Sequence, residues 1–138
     1  MIQIAVILSK EGEMLLASTF ADSSLDDQAF QEALPLIKDA GEKLDEGTLI
    51  PTTDELLILV SKTKDIPVAF LFTKQLSKSA LQSWKAVAKE IGTKFAHVYE
   101  ESINDQERLA KFKKTMDEII QWHLKENPPI SKMREAFW

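Results

Sequence analysis

His97 and His123 are the only two imidazoles in this chain of 138 residues, and no cysteine accompanies them. A metal site needs several convergent His, Cys, Asp or Glu ligands. The two histidines fall on different apolar-periodic stretches, so both read as structural or surface residues. Asp26 and Asp27 are adjacent carboxylates, the raw material of acid–base hydrolysis. Neighbouring helical residues point about 100° apart, which suits helix capping better than a catalytic pair. Asp105-Gln106-Glu107 reads the same way. The glycines are isolated, and neither GxxxxGK[ST] nor GxGxxG occurs, so no backbone cradle for nucleotide phosphates is present. A GxSxG elbow is absent too. The expectation is a chain that is not an enzyme and carries no cofactor and no metal.

The remaining candidates are surfaces. Phe30, Leu34 and Ile37 form a stripe on the first helical stretch, next to Pro35. Most of such a stripe belongs in a core. A proline-bearing helix beside a proline-bearing strand is also expected to leave apolar surface and an open edge. Lys74, Lys78, Lys85, Lys89, Lys94, Lys111, Lys113 and Lys114 could face an anionic membrane, but Glu90, Glu100 and Asp117 dilute them. Phe137 and Trp138 close the sequence, where two aromatics could anchor a tail in a groove.

Composition bounds the class. The sequence is 44% hydrophobic and 28% charged with 4 Gly and 5 Pro, values of an ordinary globular chain. Absence of cysteine suits a reducing, cytoplasmic compartment. The net charge of −5 divides into −9 over residues 1–55 and +4 over residues 56–138. An acidic front half argues against nucleic-acid binding by the whole chain. The apolar run Ile2–Leu8 has no basic segment before it and reads as a strand, not a signal peptide. No run approaches the roughly 20 apolar residues of a membrane span.

The elements that position these surfaces follow from periodicity. Ile2–Ser9 is apolar on both faces, with Ile2, Ile4, Val6 and Leu8 expected on one and Ala5 and Ile7 on the other. A turn at Gly12 leads to a returning strand, Met14–Phe20. Ser23 or Ser24 is expected to cap a helix from Leu25 to about Glu46, kinked or split near Leu34 by Pro35 and ended by Gly47 as its C′ residue. Thr48–Thr53 reads as a short strand that Pro51 confines to an edge or a bulge. Leu56–Thr63 and Ile66–Thr73 are two further strands. Ser77 or Ser79 caps a long helix reaching Tyr99, with Gly92 as a weak point, and Asn104 with Glu107 resembles a capping box for a last helix. Asn127-Pro128-Pro129 stops it. The order is β-β-α-β-β-β-α-α: an α/β (α+β) fold with a five-stranded antiparallel sheet. One helix is expected on one face and two C-terminal helices on the other.

That order, with the run Lys94-Phe95-Ala96-His97-Val98-Tyr99 at the end of the second helix and Phe112 in the third, resembles the longin domain. The related roadblock fold begins with an additional helix. The resemblance covers residues 1–126 as one domain and leaves 127–138 as a tail, with Phe137 and Trp138 as its docking residues. It implies a non-catalytic protein-interaction module. Such a module would be a homo- or heterodimeric platform for a small GTPase, or a subunit of a membrane-trafficking or tethering complex. It would be peripheral at a membrane if it meets one. By the same resemblance the first helix and the edge strand join two copies, which points to Phe30, Leu34, Ile37, Thr48 and Ile50. A second reading of the layout is a small-molecule sensor with a pocket between the sheet and the C-terminal helices.

Overall fold

The strands β1 (Ile2–Leu8), β4 (Leu56–Thr63) and β5 (Ile66–Thr73) are apolar on both faces, and this arranges everything else. The computed structural model describes residues 2–20, 24–73, 76–101 and 106–126. Five strands form one antiparallel sheet in the order β2-β1-β5-β4-β3, where β2 is Met14–Thr19 and β3 is Gly47–Leu49. The doubly apolar strands occupy its three central places. Ile4, Val6, Leu8, Ile58, Val60, Ala69 and Leu71 project to one side. There they meet Phe30, Ala33, Ile37 and Ala40 of helix α1 (Gln28–Lys43). Ala5, Ile7, Leu59, Val68, Phe70 and Phe72 project to the other. There they meet α2 (Lys78–Glu101) and α3 (Gln106–Glu126). α2 lies over β4 and β5, while α3 contacts α2 and β2. The expected element order, the antiparallel sheet and its two helical layers are all present.

Several local expectations are corrected. Ile2 does not share a face with Ile4: an irregularity in the β1/β5 register at Gln3 turns it to the α2/α3 side. Helix α1 starts at Gln28, after N-cap Asp27, and not at Leu25. Ser24 acts one turn earlier: its Oγ accepts the Asp26 N–H at 3.2 Å, and its own N–H donates to Asp27 Oδ2 at 2.9 Å. The helix runs through Pro35 without a split. Pro35 is exposed, and the core residues Phe30, Ala33, Ile37 and Ala40 hold the helix to the sheet on both sides of it. The bond that proline removes is therefore lost on the solvent side. The helix ends at Lys43 with Leu44 as C-cap, so Gly47, at φ +112°, opens β3 instead of closing α1. β3 ends at Leu49, before Pro51. The chain then touches β4 again through a lone bridge, Thr52 to Leu57, and the Pro51 carbonyl accepts the Ile58 N–H at 3.1 Å. Asn104 lies outside the described residues. Ser77 caps α2, its Oγ accepting the Ala80 N–H at 3.1 Å.

Two helical glycines mark close approaches. A Cβ on Gly92 would stand 3.2 Å from Cβ of Thr63, and one on Gly41 would stand 3.3 Å from Cγ of Pro67. Both helices pass near the β4–β5 hairpin at these points. Gly92 thus trades helix propensity for proximity to the sheet. Gly92→Ala is expected to return none of the roughly 1 kcal/mol of propensity that alanine brings to an unconstrained helix, as measured by urea unfolding. A full gain would show that α2 is free to retreat from Thr63.

The β4–β5 turn is tight and carries no glycine. Thr63 pairs with Ile66, and both residues between them have positive φ, Lys64 at 52° and Asp65 at 66°. A two-residue turn of this type favours Asn-Gly. The Lys10–Asp65 ion pair is long, at 4.0 Å, with both side chains more than half exposed, and contributes little. Lys64→Asn combined with Asp65→Gly is therefore expected to raise stability by about 1 kcal/mol, read as a higher urea midpoint with an unchanged slope.

Candidate interaction surfaces

Helix α1 presents two kinds of residue. Phe30 and Ile37 are 2% and 0% exposed and pack against the sheet. They position the helix and offer nothing outward. Leu34 is half-buried at the helix margin. Leu36, off the buried stripe, is 39% exposed. Three residues, Leu44 to Glu46, connect the helix to β3. β3 is an outer strand of the sheet, paired with β4 alone, and all its residues are exposed, Leu49 at 44%. Thr48 is its middle residue, opposite Ser61. Ile50 lies just past the strand and is half-buried. A strand at the edge of a sheet leaves a row of backbone donors and acceptors without ladder partners. Beside this edge a cleft of about 510 Å³ opens toward α2 and is lined by Thr48, Ser61, Thr63, Lys85 and Lys89, among others. Hydroxyl, ammonium and carboxylate groups stand at its walls beside a larger area of apolar carbon.

The opposite layer is organised by aromatic rings. Trp84 of α2 sits 5.3 Å from Phe70 and 5.2 Å from Phe72 of β5, and 4.5 Å from the His123 ring of α3. Further along, Phe95 meets Phe112 at 5.1 Å. The two interhelical ring pairs are equally spaced on both helices and run in opposite directions, so α2 and α3 form an antiparallel hairpin. Between hairpin and sheet, Phe70, Phe72, Ile91, Phe95, Met116 and Ile120 are fully buried or nearly so. These described side chains occupy the layer where a sensor would hold its ligand.

On its outer side the hairpin leaves a groove of about 490 Å³. Val87, Ile119 and Trp122 give it an apolar floor, and Glu118 stands at its rim with Glu90, which is paired to Lys94. Trp122 is 63% exposed, the largest exposure of any large apolar side chain among the described residues. Lys125 Nζ stands 5.9 Å from the centre of its ring. Sequence reasoning does not single out Trp122, Leu36 or Leu49. The available signal for the first two is phase: each falls outside the i, i+3, i+4 stripe of its helix and so cannot reach the core. Leu49 carries no comparable signal.

The remaining candidates stay apart. His97 is exposed on α2 while His123 is half-buried against Trp84. Among the described residues no group of three or more His, Asp or Glu side chains converges as a metal site would require. Lys78, Lys89, Lys94, Lys111, Lys113 and Lys114 are exposed, and Lys94 pairs with Glu90 at 3.3 Å. Lys74, Phe137 and Trp138 lie outside the described residues. No described helix is long and apolar enough to cross a membrane.

No protein-family model and no curated protein matches the sequence. Several solved structures are similar. The Roadblock/LC7 domain from Streptomyces avermitilis has 16% identity, with 70% of this chain and 86% of that one covered and a TM-score of 0.49. MglC from Myxococcus xanthus has 10% identity, with 64% and 85% covered and a TM-score of 0.48. The gliding protein MglB from Thermus thermophilus has 11% identity, with 83% and 79% covered and a TM-score of 0.39. Likeness at such identities concerns fold, and what the chain does is read from its own surfaces.

His123 supplies a pH-dependent contribution to stability. Desolvation by burial holds its pKa below the ordinary value of 6.5. The folded protein therefore binds this proton less readily than the unfolded chain does. Its contribution is fully present above about pH 6.5, the unfolded value, and is lost as pH falls through the lower folded value. Thermal unfolding between pH 7.5 and 5 is expected to show a falling midpoint, with a shallower fall in His123→Gln. Equal slopes in both proteins would remove His123 as the cause.

Proposed function

We propose that this chain is a non-catalytic protein-interaction module that pairs with a second longin-like chain through the outer side of α1 and the β3 edge. The observation that carries the reading is the full exposure of β3 at the margin of the sheet, with Leu49 turned to solvent. A strand laid against β3 would extend the sheet across two chains and satisfy its open backbone groups. Leu34, Leu36, Thr48, Leu49 and Ile50 form the contact, while Phe30 and Ile37 hold α1 in place from beneath. In such a pair the composite surface receives a protein partner. A small GTPase of a trafficking or tethering system is the partner class that the longin resemblance implies.

Leu49 lies outside the core of the single chain, so Leu49→Lys tests association without threatening the fold. Sedimentation of the unaltered protein over a rising concentration series is expected to show dimers. Leu49→Lys is expected to remain monomeric with a melting temperature within a few degrees of the parent, the range typical of surface changes. An unaltered protein that stays monomeric at the highest concentrations overturns the pairing. For the partner, recovery from native lysate is expected to include a GTPase enriched by a GTP analogue, and recovery indifferent to nucleotide overturns that part.

A further inference from the structure

We propose that the cleft between α2 and the β3–β4 margin of the sheet binds a phosphate monoester with a carbon body. The site is independent of pairing through α1 and β3, because its hydroxyls point to the α2 side of the sheet. Thr48 lies opposite Ser61, and Ser61 opposite Val68, so both share the α2 side with Val68. Thr63 faces the same way, toward Gly92 of α2. The apolar face of β4 thus gives way to hydroxyls at the end of the strand. Ser61 is 4% exposed and lines the cleft. Its hydroxyl makes no hydrogen bond among the described residues. A buried hydroxyl left without a partner costs free energy that a bound acceptor would return.

The opposite wall belongs to α2. Lys85 and Lys89 stand four residues apart, so both ammonium groups reach over the same part of the cleft. Neither forms an ion pair among the described residues. Glu90, next to them on the helix, is taken by Lys94 at 3.3 Å and lines the other groove. The lining also holds Lys62 and Glu46. Lys62 Nζ donates to the Gly41 carbonyl at 3.1 Å, and Glu46 Oε1 accepts the Asp65 N–H at 3.3 Å. The Asp65 carboxylate is turned to Lys10. Three lysines against one glutamate leave the lining cationic in a chain whose net charge is −5. A phosphate monoester, with about −1.5 to −2 charge near pH 7, matches the two unpaired lysines. Its oxygens can accept from them and from the hydroxyls together, in charge-assisted bonds. The cleft, at about 510 Å³, is far larger than one phosphate, and apolar carbon takes more of its wall than polar atoms do. A few convergent polar groups on an apolar wall is the make-up of a small-ligand site. The carbon body of the ligand covers that wall.

Phenyl phosphate titrated into the full chain at fixed ionic strength is the test, followed by amide NMR. The amides of Thr48, Ser61, Thr63, Lys85 and Lys89 are expected to shift along one saturating curve. Inorganic phosphate should shift the same amides with about tenfold weaker affinity, because it leaves the apolar wall uncovered. Lys85→Gln with Lys89→Gln is expected to weaken phenyl phosphate about tenfold, and Ser61→Ala about fivefold. Lys111→Gln with Lys114→Gln makes the same charge change on α3 and should leave the affinity as it was. Shifts that rise without saturation overturn the proposal, as does an equal loss of affinity in the α2 and α3 double variants. Vesicles bearing phosphatidic acid, a lipid with the same headgroup chemistry, distinguish the source. Cosedimentation that is lost in the Lys85/Lys89 variant assigns the bound monoester to a lipid, and its absence assigns it to a soluble molecule.

Discussion

Three strands that are apolar on both faces cannot lie at a surface, and this constraint shapes the rest of the molecule. β1, β5 and β4 take the centre of the sheet, and each face must then be roofed by a helix. Each large side chain removed from water, such as Ile58 toward α1 or Phe70 toward α2, contributes about 1.5–3 kcal/mol before chain entropy is counted. The sheet's outer strands show the converse. β3 is exposed throughout and β2 is mostly half-buried, because neither has an apolar residue at every position to hide.

The two roofs are built differently. α1 holds its place with one stripe of aliphatic and aromatic residues and carries charges of both signs on its solvent side. The α2/α3 hairpin is joined to the sheet through Trp84, which touches β5 and α3 together. Edge-to-face ring contacts of this kind add about 0.5–1.5 kcal/mol to the burial of their area. Trp84 therefore fixes both the height of α2 above the sheet and the register of α3 along α2. Gly92, pressed toward Thr63, allows α2 to settle that close.

What is left outward after these packings is sparse and specific. Leu36 and Leu49 belong to the α1 and β3 side, Met14 to the other outer strand, β2, and Trp122 to the outer groove of the hairpin. None is needed by the core, and each lies beside a feature that an incoming chain could complete: a sheet edge in one case, an apolar groove with a charged rim in the other. Among the described residues no group of three or more carboxylates and imidazoles converges as a metal site would require.

Element order, the antiparallel hairpins and the assignment of most residues to one face or the other were legible in the sequence, because periods of two and about 3.6 express which side of an element is buried, whereas the pairing of β1 with β5 was decided by the tertiary structure. The doubly apolar runs of Ile2–Leu8 and Leu56–Thr63 already required helices on both sides. Other features were decided only by the tertiary structure. Alternation predicts an unbroken pleat and cannot foresee an irregularity at Gln3, so the side taken by Ile2 was hidden. The continuity of α1 through Pro35 depended on anchors contributed by the sheet. The reasons for Gly41 and Gly92 lay in Pro67 and Thr63, distant in sequence. The exposure of Leu49 was hidden for the same cause: it belongs to the assembled surface, and a residue becomes part of one only when its neighbours have found each other.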